Sequence, residues 1–143
     1  MFYKSANSSE FGKKTWESTQ KGFKRALELG VDRIACGGDT GAFPHGENAL
    51  EMKLMVRLGA DWKKVLSWGT LGGYNCIKPF PLEGDGSEES DADVWVADHV
   101  VKFGCIKPGW AADIIALDGD LERDFEATLD RVVFVMKSGR VYK

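Results

Sequence analysis

The sequence predicts an α/β chain in which a helix–strand–helix–helix half precedes an all-β tail. Three observations predict it. An amphipathic helical run over residues 8–30 stops two residues before a short apolar run, Arg33 to Cys36. That run empties into a glycine-rich turn carrying one carboxylate, Gly37-Gly38-Asp39-Thr40-Gly41. After residue 103 the apolar spacing changes from helical to short β-branched stretches. A helix followed so closely by a strand is the αβ half of a βαβ repeat. In parallel α/β architectures the carboxyl end of a strand is the face that presents reactive groups.

Each element follows from local chemistry. Over residues 8–30, Trp16, Phe23, Ala26 and Leu27 recur at helical spacing, with Lys13, Lys14, Lys21, Lys24 and Arg25 on other faces. Asn7 and Glu10 resemble a capping box, and Gly30 is placed to end the helix. The basic positions read as a solvated outer face. In the turn, Gly37, Gly38 and Gly41 leave room beside Asp39, whose plain alternative role is to satisfy backbone N–H groups. A second helix runs from Glu47 to Leu58 with a Leu/Met stripe that reads as core, closed by Gly59. Asp61 caps a third helix, Trp62 to Trp68, whose Val65, Leu66 and Trp68 should be packed. Gly69 to Gly73 breaks the helical pattern. In the tail, Ala112 to Leu117 and Arg131 to Met136 read as strands, with at most a short helix from Leu121 to Thr128. Lys137 to Arg140 makes a tight turn, and Val141-Tyr142 returns as hairpin partner.

Composition narrows the function classes. The chain has 143 residues, 43% hydrophobic and 29% charged, which suits one ordinary globular unit. A net charge of −3 gives no electrostatic footprint for nucleic acid. No run approaches the roughly 18 apolar residues of a membrane span, and the first ten residues lack the apolar core of a signal peptide. Three scattered cysteines, Cys36, Cys76 and Cys105, suggest neither a disulfide framework nor a zinc knuckle, and free thiols point to the cytoplasm. The acid-rich stretch Gly84 to Asp93 reads as a surface insertion. It lacks the ligand ladder of a calcium loop. His99 behind it reads as a surface residue.

Taken in order, these strings resemble the C-terminal end of the amidohydrolase superfamily, and within it the imidazolonepropionase and prolidase-like branch. The resemblance rests on Gly37-Gly38-Asp39-Thr40-Gly41, His45-Gly46, Gly59-Ala60 and Val65-Leu66-Ser67-Trp68-Gly69-Thr70. In the tail it rests on Gly104-x-Ile106-x-Pro108-Gly109, Ala112-Asp113-Ile114-Ile115-Ala116-Leu117-Asp118 and Val133-x-x-Met136-Lys137-x-Gly139-Arg140-Val141. It implies the C-terminal part of a (β/α)8 barrel plus the C-terminal part of a small β-sandwich. Residues 1–78 would be the last helix–strand–helix units of the barrel, 79–102 an acidic flexible insertion, and 103–143 the closing strands of the sandwich. Residues 33–36 would be the eighth barrel strand. The family's acid after that strand is a metal ligand and general base, a role that carries onto Asp39. His45 resembles the family's residue just past the turn, placed to touch substrate. The implied reaction is hydrolysis of an amide, cyclic amide or dipeptide C–N bond by water activated on a divalent metal, zinc in most such sites.

The chain departs from that pattern in size and in ligands. A whole barrel takes about 200 residues or more. Catalytic zinc normally takes three protein ligands, and this chain holds two histidines, His45 and His99, in no His-x-His pair. Three readings follow. The chain is the C-terminal piece of a complete enzyme; or it is a non-catalytic remnant serving as an interaction module; or it complements a partner chain that carries the histidines. Under each, open barrel edges predict a homo-oligomer or association with the missing N-terminal barrel portion.

Overall fold

The computed structural model describes residues 9–38, 45–77 and 101–143. Asn7, Asp39, the acidic stretch and His99 lie outside the described residues. The elements, in chain order, are α1 (Glu10–Glu28), α2 (Ala49–Arg57), α3 (Trp62–Gly69), α4 (Leu71–Ile77), β1 (Ile114–Leu117), α5 (Phe125–Leu129), β2 (Val132–Lys137) and β3 (Arg140–Val141).

The helices begin and end where side-chain chemistry directs. The N-cap of α1 is Ser9, not Asn7; its hydroxyl accepts the Gly12 N–H at 3.0 Å. Both α1 and α2 end in Schellman motifs around a left-handed glycine. Gly30 (φ 69°) donates to the Leu27 carbonyl and Val31 to Ala26; Gly59 (φ 104°) donates to Val56 and Ala60 to Met55. Asp61 caps α3 through the N–H groups of Lys63 and Lys64.

Residues 33–36 form no strand. A strand exists only by pairing, and no described segment offers these residues a ladder. They cross the α3–α4 joint instead. The Cys36 N–H donates to the Trp68 carbonyl at 3.3 Å, and the Trp68 indole N–H donates back to the Asp32 carbonyl at 3.2 Å. This crossing also explains why Gly69 to Gly73 does not simply break the helix. The turn is confined to Thr70, and a new helix, α4, starts at Leu71. A Cβ at Gly72 would lie 2.8 Å from the Ile34 carbonyl oxygen, so that glycine is a point of close approach. Gly104 (φ 85°) does the same for the tail: a Cβ there would lie 2.6 Å from the carbonyl carbon of Thr70. Tyr74 stacks edge-on against Phe103 beside this contact.

The core is small. Met55, Ala60, Val65, Trp68, Phe125 and Leu129 are buried together, with Phe23, Leu27, Ile34, Cys36 and Leu117 packed against them. Residues from both halves of the sequence therefore share one core. Lys53 pairs with Asp130 and Arg57 with Glu126, clamping α2 to the α5 region. The Arg57 guanidinium holds the Glu126 carboxyl below its ordinary range.

The tail is an antiparallel meander, β1-β2-β3, with Ile114 opposite Met136 and Met136 opposite Val141. Ser138 (φ 49°) and Gly139 (φ 77°) make the two-residue turn. The Asp113 carboxylate accepts the Ser138 N–H at 2.7 Å and fixes it. The sheet leaves much apolar surface open: Ile115, Val133, Val141 and Tyr142 are each more than half exposed.

Candidate functional site

The segment ahead of Asp39 is held on the first turns of α2. The Gly37 N–H donates to Glu51 Oε2 at 2.9 Å. Gly38 lies against the Asn48 side chain, where a Cβ would meet Oδ1 at 2.7 Å. A side chain at Gly38 would push the Asn48 side chain aside, whereas a Cβ at Gly37 would meet open space. The sequence then delivers Asp39 as the next residue.

Beside this corner a cavity of about 310 Å³ opens between α1 and α2. Trp16 and Phe23 of α1, Leu50 and Leu54 of α2 and its C-cap Leu58 form its apolar walls, with Gly37 and Gly38 at one margin. Glu51 is half-buried on the α2 side. Burial pushes its carboxyl pKa up, and the Gly37 N–H draws it partly back.

Cys36 lies just before the glycines, its sulfur 3.9 Å from that of Met55. Burial, and then the negative charge of Glu51, push its thiol up to about 11. The neutral thiol suits the fold. Its stabilising contribution is present below the ordinary value of 9.0 and is lost as pH rises through about 11. At pH 8 only about one Cys36 in a thousand is thiolate, so iodoacetamide should label exposed Cys76 well before Cys36. Between pH 7 and 9 the Cys36 rate should climb about tenfold per unit, read by peptide mass spectrometry over time.

Of the residues singled out in the sequence, Asp39 lies outside the described residues. His45 is exposed, one residue before the left-handed Gly46 (φ 89°). The Leu/Met stripe of α2 divides between two environments. Ala49 and Val56 pack against the core, Leu50, Leu54 and Leu58 line the cavity, and buried Met55 touches both. Glu51 is the residue that sequence reasoning passed over. Its signal was a carboxylate in line with Glu47, Leu54 and Leu58, an acid inside an apolar helical stripe.

Among the described residues no three His, Cys, Asp or Glu side chains come together to hold a metal ion. Asp39 and His45 would supply two donors where catalytic zinc takes three, so these residues do not by themselves make up the implied zinc site. No described helix is long and apolar enough to cross a membrane. No protein-family model matches this chain, and no curated protein matches it.

Proposed function

We propose that this chain is the C-terminal part of a metal-dependent amidohydrolase, contributing the general base of C–N bond hydrolysis. The observation that supports this reading is the Gly37–Gly38 corner: two glycines pinned on α2 at the margin of a cavity, with a carboxylate next in sequence. In this role Asp39 takes a proton from the attacking water as the tetrahedral adduct forms. It then delivers that proton to the leaving nitrogen as the C–N bond breaks. His45 sits beyond the turn and contacts substrate, a small amide, cyclic amide or dipeptide. The other metal ligands come from a preceding barrel portion of the same protein or from a partner chain.

The uncovered apolar residues of the sheet favour a chain that works with such a portion rather than alone. Ile115, Val133, Val141 and Tyr142 are the kind of surface that a sandwich's remaining strands cover. The test is hydrolysis by the intact assembly, the full gene product together with any co-purifying chain that carries the histidines, assayed with zinc against dipeptides ending in proline, N-acyl amino acids and cyclic amides. Turnover of at least one class, abolished by chelator and restored by zinc, is the expected result. No turnover of any class by zinc-loaded protein would sink the proposal.

A further inference from the structure

We propose that the cavity between α1 and α2 binds a small organic cation, with an ammonium group at Glu51 and an apolar body against Trp16, Phe23, Leu50 and Leu54. The site uses Trp16, Phe23, Leu50, Glu51 and Leu54 and requires neither Asp39 nor a metal, so it stands or falls separately from the hydrolase reading.

Shape and charge both point to this ligand. A cavity of about 150 Å³ lined by apolar side chains suffices for benzene. At about 310 Å³, this one takes a ring and a short alkyl chain. Its walls are aromatic and aliphatic, which suits an apolar body. The polar groups are of one sign. Glu47, just ahead of α2, and Glu51 in its first turn line the cavity, and no Lys, Arg or His lines it among the described residues. Glu51 is half-buried, yet no described Lys, Arg or His forms an ion pair with it. Its one hydrogen bond among the described residues uses Oε2, toward Gly37, which leaves Oε1 for a donor from the ligand. A half-buried carboxylate in an apolar wall is costly without a counter-charge. An ammonium supplies that charge, and a charge-assisted hydrogen bond is stronger than a neutral one. A carboxylate ligand would meet two like charges, and a neutral one would leave Glu51 uncompensated.

Calorimetric titration of the full chain at low salt with three matched probes tests this: 2-phenylethylammonium, neutral 2-phenylethanol and anionic 3-phenylpropionate. The ammonium should bind at least about tenfold more tightly than the alcohol, and the carboxylate should not bind. Glu51→Gln keeps an acceptor for the Gly37 N–H. It should erase the ammonium's advantage while leaving the alcohol's affinity within about twofold. Leu54→Trp fills the cavity and should abolish binding of both. Equal affinity of the wild-type chain for ammonium and alcohol overturns the proposal, as does no ammonium binding at about 10 mM. An ammonium preference that survives in folded Glu51→Gln also overturns it. The wild-type comparison decides even where a variant fails to fold by circular dichroism.

Discussion

Replacing Trp68 by alanine should cost about 3–5 kcal/mol of folding stability, the range for deleting a large buried aromatic side chain. The indole is 5% exposed and sits at the meeting point of three parts of the chain. Its ring meets Phe23 of α1 edge-on at 6.4 Å, and its N–H holds the Asp32 carbonyl. Its own backbone carbonyl takes the Cys36 N–H and is retained in the variant. The substitution therefore removes a packing partner from α1 and a tether from the crossing segment while leaving one backbone bond in place. Among the described residues the buried apolar cluster has six members, so there the loss falls on few neighbours. Against typical domain stabilities of about 5–15 kcal/mol, such a loss is about a fifth of the total or more. Trp68→Phe keeps the ring and gives up the N–H, and should cost less. Urea unfolding followed by circular dichroism checks both. An unchanged midpoint in Trp68→Ala would show that the core is organised around something else.

What the sequence reveals and what it hides divide along a physical line. Features set within a few residues were legible. The stripe from Phe23 to Leu27, the Asp61 cap, the terminating glycines 30 and 59 and the Ser138-Gly139 hairpin are all local, and each appears at or within a residue or two of its expected place. Features that depend on a partner were not. Ile34 to Cys36 has strand composition, but composition cannot supply a neighbouring strand, and the segment spends its hydrogen bonds on α3 instead. Gly69 and Gly72 look like breakers because glycine is a poor helix former. Their spacing is set by Met52, Cys36 and Ile34 arriving from elsewhere in the chain. Glu51 was hidden for the same reason. Helical periodicity puts it on a face with Leu54 and Leu58, and only the arrival of α1 turns that face into a cavity wall.

On the proposed hydrolase reading, Asp39→Asn in the complete assembly should lower kcat by about 10²–10⁴-fold, the usual contribution of a positioned general base. Asparagine matches aspartate in size and can still accept a hydrogen bond, but it cannot take up a proton near neutral pH and pass it on. The loss should therefore fall on kcat, with KM little changed, because the interaction removed is one made only on the way to the transition state. The acid limb of the kcat/KM profile should vanish with it, since that limb reports protonation of the base. His45→Ala should divide the other way, raising KM more than it lowers kcat, as expected for a group that touches substrate without moving a proton. The contrast separates catalysis from structure. If position 39 served only to satisfy backbone N–H groups of the glycine turn, Asn would replace it well and leave both the rate and the pH profile intact. Undiminished turnover in Asp39→Asn would take this carboxylate out of the reaction.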